Sequence, residues 1–430
     1  MTKLGKDKDD ATGQEGQLSS RGGVCLSNLL VTLEQRLSVL SAEEVVWDQA
    51  VGRVLAEPVV ASSPLPAFAR AAMDGFAVQS TDLAEATAER PCCLRITGKA
   101  YPARPYLGEV AKGTAIRIMT GAPIPVGADA VVMLEDCEVS PDNQWVYFRR
   151  PVAPGRHVIA VGEDVAQGQL VLQAGRRLRP SDVALLVALG LSRCRVVRCP
   201  RVGLILTGPE LVPPGCPPAV GQIVDSNSPM LAALIDRDGG RLVWLQRLPD
   251  ERQQLLAVVQ QALQQEIDLL LFCGGSSRGD EDFVPQVAAA CGELVAHGLA
   301  LKPGAPTGFA WLFSGPPMTR RLPAVLLPGN PVACLVAYEL LAGRIVRRLA
   351  GRSWELPHRR RVLPLRDPVV SQPGRLDWVR VRFEQGRAVP LLGRGASSLF
   401  SLAEADGFLL VPENVAGYSA ETPVEVYLFD

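Results

Sequence analysis

From Arg201 to about Ala350 the chain alternates short apolar runs with helix-length segments: RVGLIL, PMLAALIDRDGG, RLVWLQR, ERQQLLAVVQQALQQE, IDLLLFC, DFVPQVAAA, PAVLL and PVACLVAYELLAGRIVRRLA. Strands that are apolar throughout must be covered on both faces, so this succession predicts a mostly parallel sheet with helices on either side. Such sheets hold their ligands beyond the carboxyl ends of the strands. Three loops leave strands at those ends: LTGPEL, carrying Thr207 and Glu210, then CGGSSRGDED, then LPGNP. Together they predict one shared crevice.

The flanking segments read differently. SNLLVTLEQRLSVL has apolar residues at helical spacing and predicts an amphipathic helix from Leu26 to Leu40. From about Ala61 to Val161, short runs (LRIT, AIRIMT, ADAVVML, WVYFRR) separated by Pro and Gly turns predict an inserted all-β lobe. SDVALLVALG reads as a helix with Ser181 as its N-cap and Gly190 just past its end. From Pro357 to Asp430 the pattern returns to strands (RVLPL, DWVRVRF, FLLVP, VEVYLF), with one short helix around SLAEADG, which predicts a small β-barrel or sandwich.

Composition narrows the class. The 430 residues are 47% hydrophobic and 21% charged, enough for several globular domains. Basic and acidic residues number 44 and 45, so no global field draws in nucleic acid or an anionic membrane. The apolar runs fall short of the roughly 18 residues a spanning helix needs. The opening MTKLGKDKDDATGQEGQ lacks the apolar core of a secretory signal and reads as the disordered tail of a soluble, cytoplasmic protein. Ten scattered cysteines without C-x-x-C spacing read as reduced thiols, and the three histidines are too dispersed for a His-based metal site.

The loops carry the chemistry. Gly274, Gly275 and Gly279 let backbone N–H groups approach a phosphate, and Asp280, Glu281 and Asp282 follow at once. Mg²⁺ takes one or two carboxylates plus substrate oxygens, so this pairing suits a metal-bridged phosphate; a GG turn followed by acids is also a common solvated helix start. Ser228 and Asn330 each precede a proline, Pro229 and Pro331, that opens an apolar helix, the pattern of an N-cap followed by Pro at the first helical position. Lysine is scarce, and Lys302 in LKPGAP is the only one after Lys112, a compact ammonium suited to an oxyanion or simply to solvent. In the β lobe and its flanks, Asp74, Thr120, Glu163 and Asp164 occupy turns.

The order of these segments is more specific than any one of them. PLPAFARAAMDGFAV, IRIMTGAPIPVGADAVVMLE, GEDVAQGQ, LTGPELV, GQIVDSNSPML, CGGSSRGDEDF, LKPGAP and LPGNPVACLVAYE follow in the order and approximate spacing of the MoeA-like molybdopterin molybdenumtransferases, to which the C-terminal lobe of gephyrin also belongs. The resemblance runs from about residue 25 to the C-terminus. It implies an elongated homodimer of four-lobed subunits: a tail at 1–20, a partly helical lobe at 21–60 and 155–195, a β lobe at 61–154, a molybdopterin-binding-type α/β domain at 196–353, and a C-terminal β-barrel at 354–430. It also implies a reaction in which adenylylated molybdopterin and molybdate give molybdenum cofactor and AMP with Mg²⁺, in a site shared between the α/β lobe of one subunit and the β lobe of its partner.

Carried over position by position, the resemblance gives catalytic roles to Asp74, Thr120, Asp164, Glu210, Asp282 and Lys302, with Glu210 and Asp282 on the metal. It gives substrate contacts to Asp225, Ser228, Gly274, Gly275, Ser277, Pro328, Gly329, Asn330 and Pro331, and an anion-contacting pair to Arg380 and Ser401, while Arg278 joins the substrate contacts for its own charge. Several positions depart from the family pattern. Gly298 and Ala305 stand where basic residues are usual, Ala71 replaces a serine, Pro209 an aspartate and Ile159 an arginine, while Ser276 and Arg278 replace two valines. Charge-assisted contacts contribute about 1.5–3 kcal/mol each. Loss of two cations therefore sets an alternative beside the enzyme: a paralogue that binds molybdopterin or its adenylate for delivery. Arg278 would return one positive charge to the crevice.

Overall fold

In a computed structural model, residues 23–275, 283–314, 320–393, 395 and 397–429 are described. The expected tail at 1–20 and the loop residues 276–282 lie outside them. The chain forms two compact units, one of Glu44–Val196 and one of the residues on either side of it.

The larger unit is built on a six-stranded sheet in the order Arg241–Leu248, Arg201–Thr207, Leu269–Cys273, Arg321–Leu327, Gly308–Phe313, Gly292–His297. The first four strands are parallel, and the last two add antiparallel pairings. Alternate residues of each strand enter separate cores, as a sheet buried on both faces requires. Val202, Leu204 and Leu206 pack with the helices Asn227–Arg237 and Pro331–Ala337. Ile205, Leu270 and Phe272 pack with Arg252–Gln264 and Phe283–Ala290 on the other side.

The N-terminal helix runs Leu26–Arg36, and its buried Leu26, Leu29 and Leu33 join the first of these cores. That helix shares this core with residues of the α/β strands. Its apolar stripe dictated burial but not the partner. The long helix after LPGNP widens to π geometry over Tyr338–Ala342 and resumes as Gly343–Leu349.

The C-terminal strands Arg360–Pro364, Leu376–Glu384, Arg387–Pro390, Gly407–Val411 and Pro423–Leu428 form one antiparallel sheet. A bridge from Leu365 to Ala388 closes it into a barrel around Leu363, Val381, Leu409, Val411 and Val426. Leu301–Lys302 adds a parallel edge strand, registering on Leu376 and Asp377. The short helix expected at SLAEADG spans Leu399–Ala403.

In the other unit, six strands lie in the order Ala130–Met133, Gly75–Val78, Thr114–Ile118, Cys92–Ala100, Trp145–Phe148, Cys137–Val139. Phe76, Val78, Leu94 and Phe148 fill one face, and Ala77, Ile116, Ile118 and Val131 the other. A helix, Pro180–Ala188, packs Val183 and Leu186 on Val45, Leu55 and Val196. Its N-cap is Arg179 rather than Ser181, because Pro180 takes the first helical position, where a missing N–H costs nothing. The Asp182 carboxylate accepts the Arg179 N–H at 2.9 Å and both arms of the Arg176 guanidinium, which hold it far below the ordinary carboxylate range. Gly190 follows with φ +83°, as expected of a residue beyond a helix end.

All ten cysteines are unbonded thiols, and no helix among the described residues is long and apolar enough to cross a membrane.

Candidate active site

At the carboxyl ends of the parallel strands lies a cleft of about 520 Å³. Each strand end delivers one wall. Arg201–Thr207 brings Thr207 and Glu210, Leu269–Cys273 brings Cys273, Gly274 and Gly275, and Arg321–Leu327 brings Pro328, Gly329, Asn330 and Pro331. Asp225 and Asn227 reach it from the start of the helix Asn227–Arg237, and Asp250 follows the strand Arg241–Leu248.

Backbone geometry explains the glycines. Gly274 and Gly275 have φ +95° and +53°. A Cβ on Gly274 would lie 2.4 Å from the Thr207 carbonyl, and one on Gly275 2.7 Å from Thr207 Oγ1. Only a bare backbone passes this close to the end of the neighbouring strand.

The carboxylates differ in their freedom. Asp225 is 2% exposed and fully engaged: it accepts the Ser228 N–H at 2.9 Å, the Ser228 hydroxyl at 2.5 Å and Arg247 Nε at 2.9 Å. Ser226 holds the N-cap position that was expected of Ser228, Asp225 beside it takes one free N–H of the first turn, and Ser228 lies buried inside that turn with its hydroxyl turned onto Asp225. Ser228 is already helical, and its hydroxyl donates to Asp225 instead of accepting an N–H of the first turn. Asn330 does take the N-cap position before Pro331, although its side chain makes no cap hydrogen bond. Glu210 is half-buried, and among the described residues its carboxylate has neither ion pair nor hydrogen bond. Mg²⁺ needs only one or two carboxylates beside phosphate oxygens and water, so Glu210 fits a metal-bridged phosphate and the engaged Asp225 does not. No cluster of three or more potential ligands occurs among the described residues. Ser277, Arg278 and Asp282 lie outside them.

Lys302 does not line this cleft. Its ammonium is 3.4 Å from the buried carboxylate of Asp377, which also receives Arg375 Nε at 3.0 Å. Arg380 and Ser401 hydrogen-bond to each other, and both are buried. Ser397 and Leu399, from the same segment as Ser401, line the cleft.

In the other unit Asp74 and Thr120 are brought together. The Thr120 N–H and hydroxyl donate to one oxygen of Asp74 at 2.7 and 2.8 Å. These two bonds, the backbone one first, hold its carboxyl below the ordinary range. Asp164 lies apart from that pair, exposed in a separate depression with Arg70 and Glu163.

The sequence matches the MoeA N-terminal region (domain I and II) over residues 26–190, the family described as "Probable molybdopterin binding domain" over 203–348, and the MoeA C-terminal region (domain IV) over 362–429. The chain belongs to the MoeA family. The molybdopterin molybdenumtransferase of Bacillus subtilis is 33% identical over 397 residues, 90% of this chain and 89% of that one. That of Haemophilus influenzae is 32% identical over 409 residues, 93% and 96% of the two chains. Two structures of the molybdopterin biosynthesis MoeA protein from Pyrococcus horikoshii superpose with TM-scores of 0.81 and 0.77, at 32% and 30% identity. They cover 95% and 94% of this chain and 99% and 100% of theirs.

Against the MoeA pattern, the two positions without cations, Gly298 and Ala305, line a second depression of about 510 Å³. Arg375 lines it too, with its Nε on Asp377. Sequence reasoning had not singled out Arg375, Asn227, Arg247 or Asp250. Asp250 was the most accessible of these, as an acidic residue just past a strand end; Asn227 and Arg247 gain their meaning only from tertiary neighbours.

Proposed function

We propose that the chain is a molybdopterin molybdenumtransferase, inserting molybdenum from molybdate into adenylylated molybdopterin with release of AMP and molybdenum cofactor. The observation that carries this reading is the meeting of LTGPEL, Gly274-Gly275 and LPGNP in one cleft, with the unpaired carboxylate of Glu210 beside bare backbone. Glu210 and Asp282 would hold Mg²⁺, which when bound neutralises phosphate charge and eases departure of the adenylate. Asp225, clamped by Arg247 and Ser228, fixes the start of the helix behind the substrate. Lys302 and Arg375, both on Asp377, supply positive charge for molybdate, with Arg380 and Ser401 as the further anion contact.

We read the working form as a cytoplasmic homodimer. Asp74, Thr120 and Asp164 then complete a site in the partner, and ten unbonded thiols suit a reducing compartment.

The test is anaerobic incubation of the protein with adenylylated molybdopterin, Mg²⁺ and molybdate, following AMP release and reconstitution of an apo-molybdoenzyme. AMP release with reconstitution, both abolished in Asp282→Ala, is expected. Binding of the adenylate without AMP release would replace the enzyme by a delivery protein.

A further inference from the structure

The floor of the cleft holds two buried polar atoms with no hydrogen-bond partner among the described residues, Asn227 Oδ1 and Thr207 Oγ1. Asn227 is 9% exposed and Thr207 5%. The orientation of the Asn227 amide is fixed by its other end: Nδ2 donates to the Gly329 carbonyl at 2.7 Å and to Cys273 Sγ at 3.2 Å. A flipped amide would set its oxygen against that carbonyl, so Oδ1 is the amide atom left without a partner in a residue that lines the cleft. A Cβ at Gly275 would lie 2.7 Å from Thr207 Oγ1, so only a glycine there leaves room beside that atom. Leaving buried polar atoms unpaired is costly, and a ligand that satisfies them removes the cost.

The chemistry of the two atoms selects the ligand group. An amide oxygen only accepts, and so do the oxygens of an ionised phosphate, which therefore cannot satisfy Asn227. A group with an N–H donor can, and a hydroxyl such as that of Thr207 pairs with an adjoining donor or acceptor. We propose that Asn227 and Thr207 seat the edge of a nitrogen heterocycle, N–H first, on the floor of the cleft, leaving the phosphates to the rim. This rests on the reading of the cleft as a molybdopterin-adenylate site, in which the pterin and the adenine are the two rings with such an edge.

Binding of AMP, of hydroxymethylpterin and of inorganic pyrophosphate would be measured by calorimetry on the wild-type protein and on Thr207→Val, with Asn227→Ala as a second variant. Thr207→Val is expected to keep or raise the melting temperature, because it removes an unpaired hydroxyl without changing shape, and to weaken one heterocycle about tenfold while pyrophosphate is unaffected. Loss confined to AMP assigns the adenine, and loss confined to hydroxymethylpterin assigns the pterin. Unchanged heterocycle binding in Thr207→Val, or an equal loss for pyrophosphate, overturns the inference. Wild-type protein that binds neither heterocycle overturns the reading of the cleft itself. Where Asn227→Ala does not fold, Thr207→Val carries the test alone.

Discussion

Arg247 Nε sits 2.9 Å from Asp225 Oδ2, and Arg247 Nη2 lies 3.1 Å from the hydroxyl of Ser228, which bonds the same carboxylate. The side chain of Asp225 is fully buried and that of Arg247 28% exposed, so the guanidinium is the main charge facing a carboxylate cut off from water. Removing one member of such a pair strands the other. Arg247→Met should cost about 3 kcal/mol in urea unfolding at neutral pH. The double variant Arg247→Met with Asp225→Asn should recover much of that loss, and simple additivity would show that the pair is not coupled.

A second buried pair sets a pH dependence. Glu339 accepts Arg237 Nη1 at 2.6 Å and Nη2 at 3.0 Å, and lies 3.1 Å from His358 Nε2. Burial pushes its carboxyl up, but hydrogen bonds from His358 and Arg237 outweigh that and bring it to about 2, against an ordinary value of 4.5. A depressed carboxyl stabilises the fold fully above its unfolded pKa and loses that contribution as pH falls through its folded one. The wild-type protein should therefore lose about 3 kcal/mol between pH 4.5 and 2 through this group. Denaturant titrations of Glu339→Gln across the same window should lack that part of the slope.

Asp74 offers a residue-level test in the smaller unit. Thr120→Val deletes the hydroxyl donor and keeps the backbone one, so the Asp74 carboxyl should titrate at higher pH than in the wild type while staying below its ordinary value. Carboxyl ¹³C shifts followed through acid titration would read this directly. An unmoved titration would mean that the hydroxyl bond is not formed in solution.

Gly274→Ala places a Cβ 2.4 Å from the Thr207 carbonyl at φ +95°. Alanine in the left-handed region costs more than the roughly 1 kcal/mol gained where it fits. The expected result is a lowered melting temperature together with weaker AMP binding, because the displaced backbone is the wall of the cleft. Gly386→Ala, also at positive φ (+77°) but with nothing within 4 Å of the added carbon, serves as the control that carries strain alone.

Much of the α/β unit could be read from the chain because its strands are apolar throughout and its helices carry helical spacing, and these two patterns survive without knowledge of the neighbours. The loops at strand ends were legible for the same reason: once RVGLIL, IDLLLF and PAVLL are parallel strands, Glu210, Gly274 and Asn330 must emerge on one side. The strands Gly292–His297 and Gly308–Phe313 escaped notice because GELVAH and GFAWLF are short and separated by a Gly- and Pro-rich stretch. Ser228 lies inside the helix and not at its cap because the first turn begins at Asn227, two residues before the proline, and local pattern does not show Asp225 taking the Ser228 N–H. Thr207 is legible as part of a strand-end loop at the crevice, whereas Asn227 reads as an ordinary residue of a helix start, and neither pattern shows an unpaired side-chain oxygen. Only burial without a partner distinguishes them, and burial belongs to the assembled fold.

The edge strand Leu301–Lys302 has a consequence for any attempt to exchange the C-terminal module between family members. Two residues from the middle of the chain are woven into that module's hydrogen-bond ladder beside Leu376 and Asp377, and the same turn bears Lys302 against Asp377. A graft cut at the linker before Arg360 would separate a strand from its sheet and a cation from its counter-ion. A chimera that transplants residues 299–306 together with the C-terminal strands keeps both, and the heritable unit of that lobe is therefore discontinuous in sequence.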